Sequence, residues 1–267
     1  TKENIRFATA WKDSLTPYSS LIQITGFEIS TLDDSQEIYT TRGEQDTAVG
    51  THKEFREALR QSKDDLVTVI DLRGNPGGFV SICTGMIDEL ISDGVFFITT
   101  RIDQGTIFHD TISANPGGIA HQRDIILLAD ANSASCSELF IQGVRTNQEA
   151  PLIGQTTYGK GIAQGFKPTE RGGVVRTTGT QYYYEDGSSY NEKGHQPDYE
   201  IESPTAQLAK AIELANDMAG VGSGGSANGK EFAEFVSHLQ STLDQRPRSH
   251  KNPTALILDK PIQRTYE

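Results

Sequence analysis

Leu66-Val67-Thr68-Val69-Ile70-Asp71-Leu72 is followed at once by Arg73-Gly74-Asn75-Pro76-Gly77-Gly78. The first seven residues are a short, β-branched apolar run. Such a run is the pattern of a strand covered on both faces, as in a parallel sheet flanked by helices. The next six cannot continue a strand. Pro76 lacks an amide hydrogen, and the glycines favour turns. Working outward, Leu21–Ile29 alternates like a strand, and Thr51 with Glu54 has the spacing of a helix-capping box. Phe55, Ala58 and Leu59 follow at helical spacing, as do Ile82, Met86, Leu90 and Ile91. Val95–Thr100 and Ile125–Ala129 read as further strands, and the segment from Ser135 to about Arg145 as a helix. Alternating strands and helices over residues 21–165 predict an α/β core.

The remainder is less regular. Residues 1–18 show no clear period, and residues 31–50 and 103–123 read as loop. Pro151–Gly154, Gly161–Phe166 and Val174–Tyr184 read as strands, the last ending at Asp186-Gly187, a hairpin-turn pair. Leu208–Met218 is an amphipathic helix. Residues 220–229 (GVGSGGSANG) have the composition of a flexible linker. Phe232–Leu243 is a last helix before a Pro- and Arg-containing tail. The expected organisation is a body over 1–219, a linker over 220–229 and a C-terminal helical appendage over 230–267.

The chain has 267 residues, enough for a sizeable core. Its net charge of −12 argues against a general nucleic-acid binder, which needs a basic face. No apolar run approaches the roughly 20 residues of a membrane-spanning helix. Two cysteines, Cys83 and Cys136, lack zinc spacing and leave one disulfide or two free thiols open. No metal or cofactor is expected.

Two short segments carry chemistry. Ser133-Ala134-Ser135-Cys136-Ser137-Glu138 places a serine at a helix start, with Glu138 at the third helical position. That spacing is a capping box. It also sets Ser135 beside unpaired amides at the positive end of the helix dipole, with the Cys136 N–H as a natural oxyanion donor. Tyr158-Gly159-Lys160-Gly161, with Gln164 beyond, offers a lysine flanked by glycines. A serine–lysine pair can hydrolyse acyl groups when the amine is neutral, which burial favours.

Three rivals fit less well. Gly154–Lys160 matches the first seven positions of a phosphate-binding P-loop, but Gly161 replaces the required Ser or Thr and a strand pattern follows. The six histidines, His52, His109, His121, His195, His238 and His250, have no recognisable catalytic context, and there is no Gly-x-Ser-x-Gly elbow. Cys136 adjoins Ser135, and neighbouring helix residues point about 100° apart, so both cannot face one base.

Taken in order, Asp71–Gly78, Ser133–Glu138, Thr157–Gly161 with Gln164, and Gly194-His195-Gln196-Pro197-Asp198 resemble the C-terminal processing (tail-specific) proteases. The resemblance spans roughly residues 20–218. It implies a crotonase/Clp-protease-like α/β core and a serine endopeptidase acting through a Ser-Lys dyad and an acyl-enzyme. It makes Ser135 the nucleophile, Lys160 the general base, Gln164 the residue that helps orient the lysine and Glu138 a supporting acid. Cys136 N–H and a glycine N–H from Gly77-Gly78 match the oxyanion hole. Some members carry an acid at the position that is Thr146 here, so no third catalytic acid is assigned. The implied partner is a peptide or unfolded protein bound as an added strand. The implied setting is periplasmic or extracellular. The family usually carries a PDZ domain before or within its catalytic part, and residues 1–65 are too short for one and lack its β-rich pattern. A second expectation is a non-catalytic peptide- or lipid-binding module on the same scaffold, as in retinoid-binding repeats.

Overall fold

The fold is that of a computed structural model of the chain. It describes residues 10–29, 50–103, 106–115, 117–120, 123–169, 172–220 and 229–246. Residues 31–49 of the loop expected over 31–50, most of the Gly-rich linker (221–228) and the tail after 246 lie outside the described residues.

The central sheet has the order β1-β2-β3-β6-β7-β10. Its strands are β1 (Ala10–Thr16), β2 (Ser19–Ile24), β3 (Val67–Asp71), β6 (Asp124–Ala129), β7 (Leu152–Gly154) and β10 (Tyr199–Glu200). All neighbours are parallel except β1 with β2. The β-branched run at 66–72 is central, between β2 and β6, and all five residues of β3 are buried. Successive side chains alternate between two cores, as strand geometry requires. Ile70, with Leu72 just beyond the strand, joins Ile125 and Leu127 in one core; Val67 and Val69 join Ile126 and Leu128 in the other. The first core also takes in α1 (Gly50–Gln61), α2 (Val80–Asp88) and α3 (Cys136–Asn147). The second takes in α4 (Pro204–Met218) and α5 (Gly229–Gln245). Each aliphatic side chain buried this way contributes about 1.5–3 kcal/mol.

A second sheet is antiparallel, in the order β5-β4-β9-β8. It comprises β4 (Val95–Asp103), β5 (Thr106–Ser113), β8 (Ile162–Pro168) and β9 (Val174–Tyr183). Its base enters the first core, where Phe97 and Tyr182 meet edge-on with ring centroids 5.3 Å apart. Its far end projects into solvent: Ile107 is 60 % exposed and Val175 48 %.

Several expectations need correction. Residues 103–123 contain strand β5, whose side chains are almost all exposed, so its sequence carries little hydrophobic signal. Residues 10–16 form β1, also missed. The α1 capping box does not form as expected. The helix starts earlier, at Gly50; Thr51 N–H donates to Glu28 O, and Glu54 Oε2 accepts the N–H of Ala10. The Asp186-Gly187 turn is present, but β9 leads through it into no hairpin partner; the next strand is β10, in the other sheet. The last helix docks on the body. Val236, Leu239 and Leu243 are buried in the second core, and Gln23 Nε2 donates to Leu243 O at 3.3 Å. No helix among the described residues is long and apolar enough to cross a membrane.

Candidate active site

Three loops leave the carboxyl ends of adjacent parallel strands, the usual place for a site in such a sheet. Residues 72–79 follow β3, Asp130–Ser135 follow β6, and Gln155–Gly161 follow β7.

The first two loops are stitched together by polar contacts. Asp71 and Arg73 pair at the strand end at 2.7 Å, and Arg73 Nη1 also donates to Pro204 O on α4. Asp130 Oδ1 accepts the Gly74 N–H, and the Ser133 hydroxyl donates to Leu72 O at 2.8 Å. Asn75, fully buried, is the pivot. Its Oδ1 accepts the Gly77 N–H at 2.9 Å, and its Nδ2 donates to Ile24 O. Its carbonyl accepts both the Ala134 N–H and the Ser137 hydroxyl.

Gly77 lies against the nucleophile candidate, and Gly78 against the Phe27 backbone, so tightly that no side chain fits at either. A Cβ on Gly77, whose φ is +103°, would stand 2.8 Å from Ser135 Cβ and 2.9 Å from Cys136 N. A Cβ on Gly78 would overlap the Phe27 backbone. Phe27 N–H donates to Gly77 O and Phe79 N–H to Phe27 O. Among the described residues, the N–H groups of Gly78 and Cys136 have no hydrogen-bond partner, whereas that of Gly77 is engaged by Asn75.

Ser135 is half-buried and has φ 57° and ψ −113°, a strained left-handed backbone for a residue with a side chain. The expected capping box is present: Ser135 N–H donates to Glu138 Oε2 at 2.9 Å. Glu138 does more than cap. It is fully buried, and the same Oε2 accepts the Lys160 N–H at 2.7 Å. Its Oε1 accepts the Thr157 hydroxyl and the Gly159 N–H, both at 2.6 Å. One carboxylate therefore gathers the backbones of the serine and lysine candidates, with charge-assisted bonds that are stronger than neutral ones.

The lysine loop is clasped from the other side by residues 190–195. Asn191 Oδ1 accepts the Gly161 N–H at 2.9 Å, and Glu192 N–H donates to Gly159 O at 2.7 Å. His195 is buried beneath the loop. Its N–H donates to Thr157 Oγ1 at 2.7 Å. Its Nε2 lies 3.0 Å from Glu138 O, which can only accept, so Nε2 carries the proton and Nδ1 accepts the Tyr184 hydroxyl at 3.0 Å. Burial holds His195 down to about 3, and burial pushes Tyr184 up to about 12, so a neutral imidazole receives a protonated phenol. Tyr190 stacks on the imidazole at 4.6 Å.

Lys160 itself is half-buried, and no hydrogen bond joins its Nζ to Ser135 Oγ among the described residues. Gln164 is exposed on β8, at a register shift in the β8–β9 pairing, and its amide has no hydrogen-bond partner among the described residues. Ser135, Cys136, Glu138, Gly77 and Gly78 are thus brought together, with the Lys160 backbone; Gln164 makes no hydrogen bond to them among the described residues. Asn75, Thr157, Asn191 and His195 were not found as supports from sequence. For His195 the only signal was its place in the Gly194–Asp198 stretch.

The comparisons agree with this architecture. The family model for Peptidase family S41 matches residues 20–201. A "Carboxy-terminal-processing protease" of Bartonella bacilliformis is 30% identical over 146 residues, 55% of this chain and 33% of the relative. A "Probable CtpA-like serine protease" of Staphylococcus haemolyticus is 29% identical over 187 residues, 67% of this chain and 36% of the relative. The chain thus spans about a third of the length of these curated relatives. Among solved structures, a photosystem II D1 C-terminal processing protease shares the fold. It superposes with a TM-score of 0.56 at 20% identity, covering 80% of this chain and 52% of that one. With the family model matching well over half of its residues, the chain belongs to Peptidase family S41.

Proposed function

We propose that this chain is the catalytic part of a serine endopeptidase that cleaves peptide or unfolded protein through Ser135 and Lys160. The observation that carries the reading is the Glu138 carboxylate, which holds the Ser135 and Lys160 N–H groups on one oxygen, at 2.9 and 2.7 Å. A nucleophile and a base 25 residues apart in sequence have no structural need of a shared buried anchor.

In the proposed cycle, neutral Lys160 takes the Ser135 proton as Oγ attacks the peptide carbonyl. The oxyanion is held by the N–H groups of Cys136 and Gly78. Of the two glycines expected there, Gly78 is favoured because Asn75 already engages the Gly77 N–H. Lys160 then protonates the leaving amine, and water resolves the acyl-enzyme by the same route. Gln164 would orient Lys160 once a substrate closes the site. Among the described residues β8 pairs only with β9, so the strand that follows the lysine offers an edge to which a peptide strand would add.

Cleavage of unfolded casein tests the reading. Ser135→Ala and Lys160→Ala are each expected to lower kcat by at least about 10³-fold. Full activity in Lys160→Ala sinks the assignment of the base. One observation favours a second reading, a peptide-binding module on the same scaffold: the Ser135–Lys160 hydrogen bond is not made. Binding of peptide with no turnover in the unmodified chain is its signature.

A further inference from the structure

Beneath Ser135 lie two thiols in series. Cys83, on α2, donates through Sγ to the carbonyl of Cys136 at 3.2 Å. Cys136, the first residue of α3, donates through Sγ to the carbonyl of Gly78 at 3.0 Å. Both are fully buried and free, which closes the choice between disulfide and thiols that the sequence left open. Burial, with Cys136 beside it, raises Cys83 well above its ordinary value, so its thiol stays protonated and remains a donor. Neither sulfur is exposed enough to act as a nucleophile.

The carbonyls these thiols hold belong to Gly78 and Cys136, the two residues whose free N–H groups form the proposed oxyanion site. Gly78 has no side chain to restrict its dihedrals. Its position therefore depends on bonds to the peptide planes on each side. The plane carrying its N–H is held where Phe27 N–H meets Gly77 O. The next plane is held by Phe79 N–H on Phe27 O and, from the α3 side, by the Cys136 thiol on Gly78 O. Only the last of these links the glycine loop directly to the residue that supplies the other oxyanion N–H.

We propose that Cys136, backed by Cys83, is a positioning residue that fixes the Gly78 and Cys136 N–H groups relative to one another for transition-state binding. The inference rests on the reading of Ser135 as nucleophile. A side chain that acts in this way should affect kcat more than KM, since the oxyanion exists only after attack.

The test compares the unmodified chain with Cys136→Ala, Cys136→Ser, Cys83→Ala and the control Ser135→Ala. It reads casein-cleavage kinetics and amide hydrogen exchange of the 77–79 segment. Cys136→Ala should lower kcat about tenfold with KM within about twofold, the scale of a small misplacement of catalytic groups. Cys136→Ser, which keeps a donor, should recover most of that loss, and Cys83→Ala should fall between. Exchange at 77–79 should quicken in Cys136→Ala and not in Cys136→Ser. Unchanged kcat and exchange in Cys136→Ala overturns the proposal, as does an equal loss in the Ala and Ser variants. Undiminished activity in Ser135→Ala overturns the nucleophile instead, and exchange then still decides whether the thiol braces the loop.

Discussion

On the Ser135 side the two main supports, Glu138 and Asn75, are buried and each is held more than once. Glu138 accepts four donors, and Asn75 takes part in five hydrogen bonds linking β2, the end of β3, the glycine loop and the start of α3. On the β8 side, Gln164 is exposed on an edge strand, and the lysine amine makes no bond to the serine among the described residues. The contrast shows how the labour of the site is divided. The strained serine and the amides proposed to hold the oxyanion are over-determined by the parallel sheet and its loops. Gln164, proposed to orient the lysine, is instead carried on the antiparallel sheet, on a strand that pairs only with β9 among the described residues.

The contrast breaks first at Glu138. Glu138→Gln turns an NH₂ toward two of the four donors that now meet an acceptor. A fall in stability of about 2–4 kcal/mol is expected, since buried donors lose their partners. Loss of casein cleavage by about 10²-fold or more should accompany it, because the serine and lysine backbones separate. Urea unfolding and cleavage rates check the two effects; a wild-type midpoint would mean that the carboxylate is not the anchor. Gly77→Ala comes next. Its Cβ must push Ser135 or Cys136 aside from a positive φ. A cost of about 1–3 kcal/mol in stability, with a disproportionate loss of kcat, is expected in the same assays.

A third test uses acid. His195 is held near 3 when folded, below the ordinary histidine value of about 6.5. The unfolded chain therefore binds a proton more readily, and stability is complete above pH 6.5. It falls as pH drops through 6.5 toward 3, by at most ~5 kcal/mol from this residue. Melting temperature against pH should lose part of that slope in His195→Gln; an unchanged slope would show that other groups carry the acid sensitivity. The smallest effect belongs to the far end of the second sheet. Ile107→Thr and Val175→Thr are expected to change stability by no more than about 0.5 kcal/mol and leave casein cleavage unaltered. A larger effect would mean that this end takes part in the fold or the site.

What was legible in the sequence follows the same division. β3 and β6 could be read because burial on both faces wrote a continuous apolar run into Val67–Ile70 and Ile125–Ala129. β5 could not, since a strand exposed on both faces has no apolar pattern to show. The Ser135–Glu138 box was readable because it is local, three residues along one helix start. The other three bonds to Glu138 come from residues 19–22 positions away and depend on β6 and β7 lying side by side. Asn191 and His195 serve the site from a turn that has no periodicity, and the thiol relay joins residues 53 and 58 positions apart. Ser135, Lys160, Cys136 and the two glycines could be named as candidates from motif order; the hydrogen bonds that favour Gly78 over Gly77 could not be read there.

The account turns on Ser135 being a nucleophile activated by Lys160. Its most direct test is intact-mass analysis, with site mapping, after treatment with a fluorophosphonate, run in parallel on the unmodified chain and on Lys160→Ala. A single adduct on Ser135 that is lost or slowed by at least about 10²-fold in Lys160→Ala is the predicted result. No adduct in the unmodified chain, or one that forms at the same rate without the lysine, would contradict it.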